Sequence, residues 1–85
     1  MKKVHIGYNI PTQEDVFIER YYADGSEDVV KTVIRCPGAN WSYAMDFLSE
    51  DEFEILINRE ESQSLKEEIY IQNLGSEVTS YFTFY

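Results

Sequence analysis

The stretch Ser49-Glu50-Asp51-Glu52-Phe53-Glu54-Ile55-Leu56-Ile57 decides the fold, because the strand-like alternation of the residues before it ends here. Ser49 and Glu52 have the spacing of a capping box, in which each side chain binds a free backbone N–H group of the first helical turn. The acidic residues of that turn are also favoured there by the helix dipole. We therefore predict a helix from about residue 50 to residue 59, with Phe53, Leu56 and Ile57 facing inward. The run 53–57 alone is also compatible with a strand, and the capping box favours the helix.

Four segments before this helix predict strands. In the first, third and fourth, apolar and polar residues alternate, which is typical of half-buried strands. The second is rich in β-branched and aromatic residues, and its pattern does not show which face points inward. The predicted strands are Val4–Ile10, Val16–Tyr22, Val30–Cys36 and Trp41–Phe47. Asp24-Gly25 has the composition of a tight hairpin turn between the second and third strands, and residues 37–40 predict another turn. The alternate residues of the fourth strand predict a largely aromatic inner face: Trp41, Tyr43, Met45 and Phe47.

Two further strands are predicted after the helix, from Glu67 to Asn73 and from Val78 to Tyr85. The resulting order is β-β-β-β-α-β-β. Such a run favours an α+β fold, an antiparallel β-sheet of five to six strands with one helix packed on one face. The length of 85 residues fits a single acidic α+β domain over residues 1–85.

The composition predicts a folded, acidic binding protein. Hydrophobic residues make up 44% of the chain, which is too apolar for a disordered acidic tail. The formal net charge is −9, from seven basic and sixteen acidic residues. This charge disfavours direct binding to nucleic acid or to an anionic membrane, because like charges repel. It favours a basic protein surface as the partner, although the charge would also keep the protein in solution without any further role.

The negative charge is concentrated in residues 46–68, which hold nine acidic residues against Arg59 and Lys66. Residues 1–45, in contrast, hold six acidic and five basic residues. With the apolar residues of the helix facing inward, its acidic residues should face solvent and form a row that approximates a phosphate track. We expect these carboxylates to contact the partner: Glu50, Asp51, Glu54, Glu60 and Glu61.

Three tyrosines are the second set of candidate contact residues. Tyr81 and Tyr85 lie opposite Phe82 and Phe84 on the last predicted strand, and Tyr70 lies opposite Ile69 and Ile71. If the helix covers one face of the sheet, these tyrosines line the other. Tyrosine is enriched in protein interfaces, so this face predicts either partner contacts or a homodimer. A second packing layer is the alternative.

Signals of catalysis are weak, and we expect the protein not to be an enzyme. His5 is the only histidine and falls on the presumed outer face of the first strand, while Cys36 is more typical of a small buried residue than of a reactive thiol. Residues 24–35 imitate a calcium loop but have Val29 where that loop needs glycine. We therefore expect no cofactor and no metal ion. The single cysteine and the lack of a signal-peptide pattern favour the cytoplasm.

In size and charge the chain resembles the small acidic inhibitors of phages and mobile elements, such as anti-CRISPR proteins and DNA mimics. That resemblance implies a partner with a basic nucleic-acid-binding surface, such as a CRISPR effector or another nuclease. Two alternatives stay open: an immunity protein against a basic toxin, and a homo-oligomeric structural domain whose charge serves solubility.

Overall fold

The computed structural model describes residues 1–58 and 63–84 and confirms the predicted α+β class. Within these residues the chain forms a five-stranded antiparallel sheet with three α-helices and one short 3-10 turn. The strands are β1 (Lys2–Asn9), β2 (Asp15–Tyr22), β3 (Val29–Cys36), β4 (Trp41–Ala44) and β5 (Phe82–Phe84). The helices are α1 (Glu50–Ile57), α2 (Gln63–Leu74) and α3 (Ser76–Thr79), and the 3-10 turn is Pro37–Ala39.

The strand order in the sheet is β4-β3-β2-β1-β5, so β4 and β5 form its two edges. The first four strands are joined by sequential antiparallel connections, as the sequence predicts. The β2–β3 turn lies at the predicted Asp24-Gly25 pair, where Gly25 adopts a φ of 68° that disfavours residues with a side chain. A backbone bond of 2.9 Å from Ala23 N–H to Asp28 O closes the base of this turn.

The sheet is curled, and its two edges approach each other. A register shift between His5 and Gly7 places a β-bulge in β1, and such bulges bend a strand and increase its twist. The rings of Trp41 on β4 and Phe82 on β5 lie 5.6 Å apart, although three strands separate β4 from β5 in the sheet. This closure brings residues from both ends of the strand order onto one small surface.

The helices pack on one face of the sheet and form one apolar core with it. The strands contribute alternate residues such as Val16, Ile18 and Ile34, and Phe53 and Leu56 enter from α1. The rest of the core from the described residues is Ile6, Cys36, Met45, Leu48, Ile69, Tyr70 and Phe82. Alternation along the strands sets which residues enter, because the side-chain period of a strand is two.

The predicted strand at 67–73 is wrong, because these residues belong to helix α2. The buried or half-buried positions of α2 recur with helical spacing: Lys66, Ile69, Tyr70, Asn73 and Leu74. Ile71, which the strand prediction placed beside Ile69 on an inner face, is 49% exposed. The helix ends at Leu74, and the next residue, Gly75, has a φ of 83° and an N–H bond to Ile71 O, which are typical of the residue after a helix C-terminus.

Two strand boundaries also differ from prediction. The last strand is restricted to β5, because residues 76–79 form the short helix α3. The fourth strand ends at Ala44, and the chain then turns, with Leu48 N–H bonded to Met45 O. Its predicted aromatic inner face is therefore incomplete: Met45 is buried and Trp41 is half-buried, whereas Tyr43 and Phe47 are exposed.

Candidate partner-binding surface

Helix α1 begins where the sequence predicts and presents three acidic side chains to solvent. Ser49 Oγ accepts a bond of 3.1 Å from Glu52 N–H, and Glu52 Oε1 accepts one of 3.0 Å from Ser49 N–H, so the predicted capping box is formed. Glu50, Asp51 and Glu54 are exposed. Glu54 lies four residues after Glu50 and three after Asp51, and side chains at these spacings are neighbours on a helix surface.

The inner face of α1 is narrower than predicted. Phe53 and Leu56 are buried, but Ile57 is 39% exposed. Ile57 is the last residue of the helix, since Asn58 adopts an extended ψ of 103° and ends it. The prediction that Ile57 faces the core is therefore wrong, and the exposed surface at this end of α1 is in part apolar.

Glu50 has a partner that the sequence does not indicate. Arg20 of β2 places Nη2 3.3 Å from Glu50 Oε2 and donates a bond of 3.0 Å from Nη1 to Leu48 O. Its guanidinium also lies over the ring of Phe53, 5.2 Å from the ring centre. Arg20 is almost fully buried while half of the Glu50 side chain stays exposed. Arg20 thus fixes α1 to the sheet and compensates part of the charge of Glu50.

The β2–β3 turn adds acidic residues to those of α1. An open groove of about 660 Å³ lies between the turn and the start of the helix, and Asp24, Glu27 and Glu50 line it together. Lys2 and Tyr22 also line this groove, and the Tyr22 hydroxyl lies 3.5 Å from Glu50 Oε1. We call the following five exposed carboxylates the acidic surface: Asp24, Glu27, Glu50, Asp51 and Glu54.

Sequence reasoning missed the contribution of Asp24 and Glu27. The acidic run around Asp24-Gly25 is visible in the sequence, but its proximity to α1 depends on a contact between residues 28 positions apart, Tyr22 and Glu50. No local pattern indicates such a contact. The acidic surface therefore draws on two separate parts of the chain.

The other acidic residues of the predicted 46–68 cluster have different environments. Asp46 accepts a bond of 2.9 Å from Thr32 N–H, and Glu52 is held in the capping box. Glu67 and Glu68 are exposed on α2, next to the buried Lys66. Glu60 and Glu61 lie outside the described residues. The carboxylates are thus less concentrated in one place than the sequence predicts.

Most basic side chains of the sheet lie on the face opposite the helices, which we call the open face. The charged side chains of this face and the aromatic rings packed against them come from β1, β2 and β3 and include Lys3, His5, Asp15, Phe17, Glu19, Tyr21, Lys31 and Arg35. Lys3 lies 4.1 Å from the ring centre of Phe17, and Lys31 lies 4.6 Å from that of Tyr21. Lys3 and Lys31 thus contact aromatic rings of the open face. The basic side chains that lie at the acidic surface are Arg20 and Lys2.

Glu19 is the centre of the open face. Its side chain is only 7% exposed, and Arg35 Nε lies 3.2 Å from Oε1. The Tyr21 hydroxyl donates a bond of 3.0 Å to the same oxygen. This hydrogen bond to a carboxylate raises the pKa of Tyr21, because ionisation would place a second negative charge beside Glu19.

The three predicted tyrosine contacts do not share a surface. Tyr70 is 2% exposed in α2, and burial raises the pKa of its hydroxyl, so its prediction as an exposed anchor is wrong. Tyr81 is half-exposed, but it precedes β5 in a turn, with its N–H bonded to Val78 O. Tyr85 lies outside the described residues. The predicted tyrosine-rich sheet face is therefore not formed, because residues 63–74 are helical.

The two residues considered for catalysis, His5 and Cys36, both contact neighbouring residues of the sheet region. His5 Nε2 lies 3.0 Å from Asp15 Oδ1, and its ring stacks on Phe17 at 4.9 Å. Cys36 is fully buried, 3.9 Å from Glu14 O. Within residues 1–58 and 63–84, no three His, Cys, Asp or Glu side chains are grouped so that they could hold a metal ion. In the same residues no helix has the length and apolar character needed to cross a membrane.

Comparison of the chain with known protein families, curated proteins and solved structures finds no match. The function is therefore argued from the chemistry of these surfaces alone.

Proposed function

We propose that the protein is a small, non-catalytic binding protein of the cytoplasm that covers a basic, nucleic-acid-binding surface of a partner protein. The observation that supports this proposal is the acidic surface itself. Five exposed carboxylates lie on α1 and the β2–β3 turn. Of the basic side chains of the described residues, Arg20 contacts Glu50, and Lys2 lines the groove with Asp24, Glu27 and Glu50. The surface keeps a net negative charge and faces solvent.

The arrangement suits a partner that normally binds phosphates. Duplex DNA presents a dense row of negative charges, about one per 1.7 Å of axis, to the lysine and arginine side chains that bind it. Neighbouring carboxylates on α1 present negative charge to the same side chains. Complementary charge of this kind raises the rate of association and favours one orientation over others. A CRISPR effector or another nuclease has such a surface, and a phage or mobile element would gain from masking it.

The proposal is tested by DNA cleavage with a panel of purified nucleases, which includes CRISPR effectors and basic toxin nucleases, at low and high salt. We expect the protein to inhibit at least one of them, with inhibition that weakens steeply as salt rises, because exposed charges are screened beyond about 10 Å at 0.1 M. Inhibition of a toxin alone would assign the protein as an immunity protein, whose surface requirements are the same.

Charge reversal at the acidic surface identifies the residues responsible. The triple variant Glu50→Lys, Asp51→Lys, Glu54→Lys should no longer inhibit, while its circular dichroism spectrum stays that of the parent. Asp51→Lys and Asp15→Lys form a matched pair with the same change in charge, one on the acidic surface and one on the open face. Asp51→Lys should weaken inhibition and Asp15→Lys should not. Equal inhibition by the parent and the triple variant would show that the acidic surface does not bind the partner.

A further inference from the structure

A small aromatic pocket lies where the two edges of the curled sheet approach each other. Trp41 and Tyr43 of β4 form one wall, and Tyr81 and Phe82 form another. Asn9 and Val78 complete the lining, and the volume is about 100 Å³. Sites for drug-sized ligands are larger, about 300–1,000 Å³, so this pocket has room for one side-chain head group.

The rings in the pocket are inclined to each other and form a concave surface. Trp41 and Tyr43 have ring centres 5.3 Å apart at an interplanar angle of 48°, and Trp41 and Phe82 are 5.6 Å apart at 30°. Tyr43 and Tyr81 are each about half exposed, so the rim is open to solvent. A buried base and an open rim are features of a pocket that receives a group from outside.

The chemistry of the lining favours a cation. The faces of aromatic rings carry negative electrostatic potential and attract ammonium and guanidinium groups within about 6 Å of the ring centre, tryptophan most strongly. No basic side chain of the described residues lines this pocket. The net charge of −9 adds a long-range attraction for positive groups.

We propose that this pocket binds the guanidinium group of an arginine presented by the basic partner protein. The proposal rests on the proposed function for the source of the arginine, but the pocket itself is tested without the partner. The pocket and the acidic groove lie at opposite ends of β1, because Asn9 lines the pocket and Lys2 lines the groove. At the usual rise per residue of a strand these two residues are about 23 Å apart, so the pocket is a separate site from the groove. Arginine is also the basic residue most enriched in interfaces and most often found over aromatic rings.

The test uses three capped pentapeptides, glycine at every position except the third, which is arginine, lysine or norleucine. Trp41 is the single tryptophan of the chain, so its fluorescence and its one indole N–H resonance report directly on the pocket. We expect a saturable change with the arginine peptide and binding about five-fold weaker for the uncharged norleucine peptide, as expected for a partly exposed cation–π contact. Equal binding of the arginine and norleucine peptides, or no change with the arginine peptide, would overturn the proposal.

Variants separate this pocket from the acidic surface. Tyr81→Ala should remove the preference for arginine and Tyr81→Phe should keep it, because the ring and not the hydroxyl contacts the cation. The acidic triple variant should keep the preference for the arginine peptide over the norleucine peptide, although its smaller net negative charge weakens the long-range attraction. If the triple variant loses this preference, the attraction belongs to the acidic surface and the pocket proposal is wrong. If the peptide binds but no nuclease is inhibited, the proposed function is wrong and the pocket is not.

Discussion

The acidic surface and the open face of the sheet both carry many charged side chains, but they differ in how those charges are compensated. On the open face, Glu19 contacts Arg35 and Tyr21, and His5 contacts Asp15. These partners lie on one strand or on adjacent strands, where alternate residues share a face and opposite charges come within reach. On the acidic surface, the nearest neighbours along α1 are acidic themselves.

The difference supports the acidic surface, and not the open face, as the surface proposed to bind another protein. The charged side chains of the open face contact an opposite charge or an aromatic ring of the same face, so a partner docked there would compete with existing contacts. The carboxylates of α1 repel each other and gain from an external cation. Two basic side chains of the sheet lie at the acidic surface: Arg20, which contacts Glu50, and Lys2, which lines the groove with Asp24 and Glu27.

Replacing Arg20 should have the largest effect on stability. Arg20→Ala removes a nearly buried guanidinium that binds Leu48 O and packs on Phe53. We expect the free energy of unfolding to fall by about 3 kcal/mol, because a buried carbonyl loses its partner and a packed side chain is lost. Urea unfolding measures the change. Glu50→Gln is the control and should lower stability by less than about 1 kcal/mol, because the pair is half-exposed on the glutamate side. Similar losses for both variants would contradict the structural role of Arg20.

Replacing Glu19 should have the next largest effect. Glu19→Gln keeps the shape of the side chain but removes the charge that Arg35 and Tyr21 contact. We expect a loss of about 2 kcal/mol in the free energy of unfolding, since hydrogen bonds to charged groups contribute about 1.5–3 kcal/mol. Asp15→Asn, on the same face but exposed, should change it by less than about 0.5 kcal/mol. If the two variants unfold at the same urea concentration, the open face does not depend on Glu19.

Local patterns in the sequence were sufficient for the class of the fold and for the start of α1. The first, third and fourth predicted strands have a period of two, the second is rich in β-branched and aromatic residues, and the capping box uses residues three apart, so none of these signals depends on distant parts of the chain. The strand predicted at 67–73 failed because Ile69 and Ile71 alternate like strand residues. The helical pattern there is masked by Lys66 and Asn73, which are polar residues at inward positions.

The candidate site was predicted only in part, because some of its contacts join residues that are far apart in the sequence. The exposure of Glu50, Asp51 and Glu54 follows from the helical period, so the sequence was sufficient to place them. The contacts of Arg20 and the proximity of the β2–β3 turn join residues 28 positions apart, as Arg20 and Leu48 are. Such contacts depend on how the sheet and α1 pack, which no single segment encodes.

Removing the helix cap tests how much the capping box at the start of α1 contributes to stability. Ser49→Ala leaves the N–H group of Glu52 without its acceptor. We expect the free energy of unfolding to fall by about 1 kcal/mol, as for other serine caps. Ser42→Ala, at an exposed position of β4, is the matched control and should change it by less than about 0.5 kcal/mol. Both are measured by urea unfolding, and equal values would show that the capping box adds nothing to stability.

The smallest expected effect is a shift in the ionisation of Tyr21, and it reports most directly on the open face. The carboxylate of Glu19 raises the pKa of Tyr21 above 10.0, mainly through their hydrogen bond, while Arg35 opposes this. Glu19→Gln should therefore lower the pKa of Tyr21, as followed by NMR titration of its ring carbons, and Asp15→Asn should leave it unchanged. Because the folded state holds this proton more tightly than the unfolded state, Tyr21 supports folding below its unfolded pKa. That support is lost as the pH rises through the higher folded pKa, so the parent should lose more stability above pH 10.0 than Tyr21→Phe does. If the pKa of Tyr21 is unchanged in Glu19→Gln, Arg35 alone balances the charge of Glu19, and the hydrogen bond to Glu19 does not raise the pKa of Tyr21.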